Sequence, residues 1–345
     1  MGVSCQLLFH YPTEGFFRPG YFITGIVKYT VDEDTEYKNI QLSLKGEGRC
    51  EWKEKIANTA TTAKENIHYT LAGPYLSYEG KETILNIKTS ILNKENGKGD
   101  SVVVPAGLYE HSFDFHLPPH LPPSFKDKHA LVTYCIKVKF YRPGFFKFTK
   151  KFYTEILLKG LAVPPAPPAP VIFKIEKTLL KLFSSKKKIH VKAELQNPQA
   201  IAGEPAEINF NVSNETKVII PCITVELIER TMYTASCGTK KKKYRTIGEA
   251  KTPSVADKST ADLVLSVPSS PEIFSILNSK VVQRKYKLRV TVKLPLPYMN
   301  ASIKIPIEYD TYRQRAPVPA IDEVSDAPPS YWQVMAEDHG QETSK

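Results

Sequence analysis

Alternation of apolar and polar residues is the feature that most constrains the fold of this 345-residue chain. Along residues 286–294 every second side chain is apolar, and residues 40–45 and 208–213 alternate in the same way. Successive side chains of a β-strand point to opposite faces. The pattern therefore predicts antiparallel strands with one face on a core and the other in water. No long stretch has the 3.6-residue repeat of an amphipathic helix, and the 27 prolines also favour strands and structured loops.

The same order of features occurs twice along the chain. Residues 19–52 contain a Pro-Gly turn, a strand, an acidic turn and a second strand, and residues 203–232 repeat that order with a Gly-Glu-Pro turn. This repeat predicts two copies of one fold, and an all-β class with two consecutive immunoglobulin-like antiparallel β-sandwiches. Later in each half a proline-ended strand is followed by a phenylalanine and a tyrosine, which are Phe125 with Tyr134 and Phe274 with Tyr286.

The domain boundaries follow from this repeat and from a proline-rich stretch between its copies. We predict an N-terminal sandwich over residues 1–162, a linker over 163–175, a C-terminal sandwich over 176–312 and an acidic, disordered tail over 313–345. The stretch Val163-Pro-Pro-Ala-Pro-Pro-Ala-Pro170 must be extended, so it is typical of a semi-rigid spacer. A ligand for an SH3-type groove is the alternative.

Composition and cysteine usage predict a cytoplasmic protein. The chain has 47 Lys and Arg against 36 Asp and Glu, a formal charge of +11. No apolar run approaches the roughly 18 residues of a membrane-spanning helix, and residues 1–10 lack a secretory signal pattern. The five cysteines are scattered without a CxxC pair, which favours reduced thiols.

Several motifs resemble the arrestin superfamily, and within it the alpha-arrestins, or arrestin-domain-containing proteins. In the first half these are Arg18-Pro19-Gly20, Pro105-Ala-Gly107, Phe113-x-Phe115-x-Leu117-Pro118, Leu121-Pro122-x-Ser124-Phe125 and Tyr134. In the second half they are Gly203-Glu204, Val267-Pro268 and the strand of Tyr286. The resemblance covers nearly the whole chain and implies two arrestin-like sandwiches that engage membrane cargo. After Phe125 the chain departs from the family pattern with Lys126-Asp127-Lys128-His129-Ala130.

The tail contains a PPxY motif made of Pro328, Pro329, Ser330 and Tyr331. Two prolines hold a polyproline II strand before binding, so little entropy is lost when an aromatic groove receives it. The motif therefore predicts a WW-domain ligand, and the resemblance to alpha-arrestins implies recruitment of HECT-type E3 ubiquitin ligases. The overlapping Tyr331-x-x-Val334 also fits the Yxxφ pattern that clathrin adaptors bind, which is a weaker alternative.

Two lysine clusters are candidates for contact with anionic lipid or with phosphorylated or acidic tails. The first is Lys186, Lys187 and Lys188, and the second is Lys240, Lys241, Lys242, Lys243 and Arg245. Solvated hairpin loops are the alternative for both. Nucleic-acid binding needs stacking aromatics in the same patch, and only Tyr244 is adjacent, so we expect no nucleic-acid partner.

The sequence offers no catalytic or cofactor site. HExxH, GxSxG and GxxxxGK[ST] are all missing, so we predict neither an enzyme nor a bound cofactor. His111, His116 and His120 do not form a metal site in this interpretation, because positions 111 and 116 of a strand point to opposite faces.

Together with these observations, the resemblance to alpha-arrestins implies a cytosolic adaptor that links receptors or transporters to WW-domain HECT-type E3 ligases and promotes ubiquitination, endocytosis and protein transport. The adaptor is expected in the cytoplasm, with recruitment to the plasma membrane and endosomes. One alternative is a retromer-like arrestin-fold scaffold without ligase recruitment. A basic β-sandwich that binds nucleic acid is the other.

Overall fold

The computed structural model describes residues 2–12, 15–55, 67–70, 73–92, 101–144, 149–160, 169–179 and 187–310. Within these ranges the regular elements are all strands, so the predicted all-β class is confirmed. No helix long and apolar enough to cross a membrane occurs in the described part of the chain.

The described residues of the first half form eleven strands in three sheets. They are β1 (Val3–Phe9), β2 (Phe22–Val31), β3 (Thr35–Tyr37), β4 (Asn39–Lys55), β5 (Ile67–Thr70), β6 (Gly73–Ser90), β7 (Val102–Val104), β8 (Gly107–His116), β9 (Phe125–Lys126), β10 (Ala130–Tyr141) and β11 (Lys150–Ile156). A three-stranded sheet has the order β1-β2-β8, and a larger one has the order β11-β10-β4-β6-β5 with β9 beside β10. The short strands β3 and β7 pair separately.

The part of the second half that the structure describes contains nine strands in two sheets. They are β12 (Val171–Leu179), β13 (Lys187–Leu195), β14 (Gln199–Ile201), β15 (Ala206–Asn214), β16 (Ile223–Thr234), β17 (Lys240–Lys251), β18 (Ser259–Val267), β19 (Val282–Val292) and β20 (Ala301–Asp310). One sheet has the order β12-β13-β15-β18, and the other has the order β14-β20-β19-β16-β17. Each half is thus a sandwich of antiparallel sheets, with β14 and β20 as a parallel pair at one edge.

Strand β12 begins earlier than the sequence suggested. Val171 already pairs with Leu195 of β13, so residues 171–175, which we predicted as linker, belong to the first strand of the second sandwich. The alternation of Val171, Phe173 and Ile175 supports this strand because it places the more buried side chains on one face.

Two hydrophobic cores follow from the alternation. In β10 every second side chain, from Ala130 to Phe140, is buried between the sheets of the first sandwich. In β19 the buried set is Val282, Tyr286, Leu288, Val290 and Val292. The first core also receives side chains from the second half of the chain, which are Tyr233, Ala235, Ile276, Val281 and Val282. The boundary between the sandwiches is therefore a packed, apolar contact.

Candidate functional site

The first lysine cluster lies at the start of β13. Lys187 and Lys188 are described, whereas Lys186 lies outside the described residues. Lys188 forms a hydrogen-bonded ion pair with Glu176 on β12. The hydrogen bond from Lys188 holds the pKa of the Glu176 carboxyl below its usual range. The charge of Lys188 is thus already partnered on an exposed surface.

The second lysine cluster lies in a strand, β17, and the alternative of a hairpin loop is wrong for Lys240–Lys243. Strand β17 is the edge of its sheet and pairs with β16. Its first seven residues are exposed except for the half-buried Lys241, so both faces of this part of the strand meet water. The two clusters lie on different sheets of the second sandwich, and the structure does not bring them together.

The side chains of β17 form two rows because successive residues of a strand point to opposite faces. Lys241, Lys243 and Arg245 lie opposite Tyr233, Thr231 and Glu229 of β16, on the face of their sheet that turns toward the first sandwich. Lys240, Lys242 and Tyr244 form the other row, on the outer face of the sheet. A single run of cations in the sequence therefore serves two different surfaces.

The outer face of this sheet carries five more cations that the sequence analysis missed. They are Arg230 on β16, Lys285, Lys287 and Arg289 on β19, and Lys304 on β20. Arg289 lies 3.6 Å from Glu226. Burial, together with Lys304, Arg289 and Arg230, lowers the pKa of Lys287. The Lys287 ammonium also lies 5.7 Å from the ring centre of Tyr244, which joins this face to the outer row of β17. The signal was present as the spacing Lys285-x-Lys287-x-Arg289.

A cleft of about 420 Å³ lies between the two sandwiches. Its walls come from β9 and the turn after it in the first sandwich, and from β16, β17 and Arg284 in the second. Four cations and three carboxylates line it, together with Phe125 and Phe274. These charged residues are Lys126, Lys243, Arg245, Arg284, Asp127, Glu229 and Glu272.

Glu229 is the buried acceptor at the base of this cleft. Its side chain is 6% exposed, and one carboxylate oxygen, Oε2, accepts two hydrogen bonds and forms an ion pair with a third group. The Tyr286 hydroxyl and an Arg245 guanidinium nitrogen each donate to it over 3.2 Å, and Nε of Arg284 lies 3.0 Å away. Burial is the main cause that raises the pKa of Tyr286 above its usual range, and Glu229 adds to it. A buried carboxylate with this many partners holds several strands in place.

Arg284 extends this cluster across the boundary. Its guanidinium carbon lies 5.5 Å from the ring centre of Phe125, in the first sandwich, and 5.2 Å from that of Phe274. The two rings meet edge-to-face, with centres 6.2 Å apart. A guanidinium above aromatic faces is attracted by their quadrupoles, and more strongly where water is excluded.

Two further carboxylates tie the sandwiches together. The Tyr233 hydroxyl donates to Asp127, whose other oxygen accepts the backbone N–H of His129 and of Ala130. Glu82 on β6 accepts the Ser279 hydroxyl and the backbone N–H of Lys280, the latter over 2.9 Å. Asp127 lies in the segment Lys126–Ala130, so this segment supplies a contact between the domains.

One ion pair closes the far side of the boundary. An Arg18 guanidinium nitrogen donates to Asp310 over 3.0 Å, and the two side chains are only 12% and 16% exposed. Gly160 lies beside them, with a φ of +85°, and a Cβ there would come within 2.8 Å of the guanidinium. This close approach favours glycine at position 160.

The remaining predicted sites are the tail motif and the histidines of the first sandwich. Pro328, Pro329, Ser330 and Tyr331 lie outside the described residues. Burial lowers the pKa of His111, which points inward on β8, whereas His116 points outward, so the two lie on opposite faces as predicted. Among the described residues no group of three His, Cys, Asp or Glu side chains could hold a metal ion.

Comparison with known families gives two adjoining matches. Residues 5–159 match the family model described as arrestin (or S-antigen), N-terminal domain, and residues 185–308 match arrestin (or S-antigen), C-terminal domain. The two matches correspond to the two sandwiches.

Individual relatives are distant in sequence. Arrestin domain-containing protein 17 of Caenorhabditis elegans is 24% identical over 67% of this chain and 52% of its own length. Thioredoxin-interacting protein of Homo sapiens is 26% identical over 69% of this chain and 56% of its own length. Arrestin domain-containing protein 5 of Homo sapiens is 21% identical over 86% of this chain and 84% of its length. The chain thus spans about half the length of the first two relatives.

Proposed function

The chain belongs to the arrestin superfamily, as an arrestin domain-containing protein or alpha-arrestin, and on this basis we propose that it is an adaptor. It links membrane cargo, such as receptors or transporters, to WW-domain HECT-type E3 ubiquitin ligases. Ubiquitination of the cargo then promotes its endocytosis and transport. The adaptor works in the cytoplasm and is recruited to the plasma membrane and endosomes.

The PPxY motif at Pro328–Tyr331 is the observation that carries this proposal. Its prolines favour the polyproline II conformation that WW domains bind, and its tyrosine, two residues on, fills a second pocket. Six acidic residues and one basic residue lie in 316–345, so the motif sits in a segment whose charge favours exposure to a partner.

The two sandwiches supply the cargo-binding half of the adaptor. Contacts across their boundary, including Glu82 with Ser279 and Arg284 with Phe125, favour a body that presents both domains together. A ligase and a cargo held on one chain meet at a raised effective concentration, so the adaptor needs no catalytic group of its own.

The charge distribution supports work at an anionic membrane surface. Residues 1–315 contain 46 basic and 30 acidic residues, a formal charge of +16, whereas the tail beyond them carries −5. The cations of the outer face, Lys285, Lys287 and Lys304 among them, are concentrated on one side of the second sandwich. Basic residues near an anionic bilayer contribute about 1 kcal/mol each.

Capture by WW domains tests the ligase arm. The full chain, Tyr331→Ala and Ser330→Ala are passed over immobilised WW domains of a HECT-type ligase. We expect capture of the full chain and of Ser330→Ala, because the third motif position is variable, and loss of capture for Tyr331→Ala. Equal capture of all three proteins, or capture of none, contradicts the ligase arm and favours an arrestin-fold trafficking scaffold.

Binding to nucleic acid is a second outcome that the same proteins can report. We expect weak binding to duplex DNA or RNA without sequence preference. Tight binding that falls steeply with salt would instead support the basic nucleic-acid-binding alternative.

A further inference from the structure

The exposed first half of β17 has an open edge. The sheet order places β17 last, beside β16, and within the described residues no strand pairs with its other side. Residues 240–246 are exposed apart from the half-buried Lys241, whereas Gly248 is buried and a Cβ added there would come within 2.2 Å of the Pro268 carbonyl oxygen. The most exposed part of the open edge is thus residues 240–246.

The hydrogen bonds at the β16–β17 turn show which backbone groups point outward. The Ala235 N–H donates to the Thr239 carbonyl over 2.9 Å, so these two residues face each other. The Thr234 N–H instead donates to the Val281 carbonyl, away from β17. Backbone direction alternates along a strand, and the pairing runs without a shift from Thr234↔Lys240 to Glu229↔Arg245. The backbone N–H and C=O groups of Lys240, Lys242 and Tyr244 therefore point to the open edge.

The positive charge of the lysines on this edge determines which strand can pair with it. Lys241 and Lys243 lie toward the cleft, and Lys240 and Lys242 lie toward the outer face, so a strand added here would meet cations on both faces. Like charges opposite one another destabilise a strand pair, and edge lysines protect sheets from self-association for this reason. A second copy of this strand is disfavoured, whereas an acidic strand gains opposite-charge pairs on each face.

We propose that the open edge of β17 binds an extended acidic peptide as an added strand. Its backbone would pair with Lys240, Lys242 and Tyr244. Alternate carboxylates would face Lys241, Lys243 and Lys126 on the cleft side, and Lys240 and Lys242 on the outer side. The identification of this peptide as a segment of the cargo rests on the proposed adaptor function, whereas the binding itself does not.

Binding of a defined probe tests the charge requirement. The probe is a fluorescent nine-residue peptide in which glutamate alternates with valine, and its matched control has lysine at the glutamate positions. Fluorescence anisotropy with the full chain is expected to show binding of the acidic peptide alone, weakening as salt is added. Replacing Lys241 and Lys243 with glutamate together is expected to weaken binding by about tenfold or more.

A pair of substitutions at Tyr244 isolates the backbone contribution. Tyr244→Pro removes the outward N–H and leaves every lysine in place, and an outward-facing edge position tolerates proline. Tyr244→Thr also removes the ring but keeps the N–H. We expect the acidic peptide to bind Tyr244→Pro about tenfold more weakly than Tyr244→Thr. Circular dichroism checks that both variants fold.

Hydrogen exchange gives a readout that requires no variant. The peptide is expected to slow exchange at the amides of Lys240, Lys242 and Tyr244. It should change the exchange rates of the Lys241 and Lys243 amides little, because these amides already face β16.

Equal affinity of the two Tyr244 variants with unchanged exchange would overturn the proposal in favour of diffuse attraction. Binding of anionic vesicles without any peptide binding would overturn it in favour of a lipid surface. Tyr331→Ala should bind the peptide normally, so failure of the ligase arm and failure of this site remain distinguishable.

Discussion

Tyr134 and Tyr286 hold corresponding positions in the two sandwiches, and their surroundings differ. The Tyr134 hydroxyl donates to the Pro122 carbonyl over 2.6 Å, and the Tyr286 hydroxyl donates to the Phe274 carbonyl over 3.2 Å. In both cases the acceptor lies twelve residues upstream. Only Tyr286 has a second acceptor, the Glu229 carboxylate.

This difference shows how one local structure serves two purposes. In the first sandwich the tyrosine fixes a loop to its own core. In the second sandwich the tyrosine also donates to Glu229, which forms ion pairs with Arg284 and Arg245. Arg284 in turn contacts Phe125 of the first sandwich. The second copy of the tyrosine is therefore part of the contact between domains.

Alkaline pH is expected to have the largest effect on stability, because it favours ionisation of both tyrosines on unfolding. Burial raises the pKa of Tyr134 and Tyr286 above their usual range, and raises that of Tyr29 to about 12. A raised phenol pKa stabilises the fold fully below about pH 10, and that stability is lost as the pH rises toward the folded-state value. We expect the denaturant midpoint to fall between pH 10 and about 12. Absorbance at 295 nm should show these phenols ionising only as the protein unfolds, and their ionisation in a folded protein would contradict this.

Removal of Arg284 tests whether the charged cluster of the second sandwich is structural. Arg284→Ala leaves Glu229 buried with fewer partners, which is expected to cost about 3 kcal/mol in the free energy of unfolding. The matched control is Arg49→Ala in the first sandwich. Arg49 is 62% exposed and pairs with Glu47, so its loss should cost about 0.5 kcal/mol or less. Equal losses in urea-induced unfolding would remove the distinction between the sandwiches.

Tyrosine-to-phenylalanine substitutions give the smallest and sharpest test. Tyr134→Phe removes a hydrogen bond to a neutral carbonyl, expected to cost about 1 kcal/mol. Tyr286→Phe also removes a donor to a carboxylate, so its cost is expected to be about 2 kcal/mol. The comparison is made from denaturation midpoints at equal m-values. A larger loss for Tyr134→Phe would show that the neutral hydrogen bond dominates.

The sequence predicted the two sandwiches because both cores are built on alternation that is visible without a structure. The strand of Tyr286 is an example, since its buried residues are the apolar ones of the pattern. Glu229 and Arg284 were missed, although each lies on the core face of its strand by the same alternation. Their signal is a pair of opposite charges on the apolar faces of two strands, and only the β16–β19 register shows that the strands are neighbours.

The basic surfaces were predicted less well for a related reason. The contiguous basic run of β17 was predicted as a candidate site, but its strand was not predicted. Five of its six residues are cations, so no alternation of apolar and polar residues indicates which face points inward. The outer face was overlooked because its cations alternate with core residues and come from three strands. Strand order, which places Arg230 opposite Lys285 and Arg289 opposite Lys304, depends on pairing between distant segments.

The Arg18–Asp310 ion pair joins residues 292 positions apart. During synthesis Asp310 leaves the ribosome only after nearly all of the two-sandwich body, at a rate of roughly 5–20 residues per second. The first sandwich has all of its own strands long before then and can fold while the second is still being made. This contact is consequently among the last to form, so a nascent chain passes through a period in which its first sandwich can be folded while the second still lacks β20, the strand that carries Asp310.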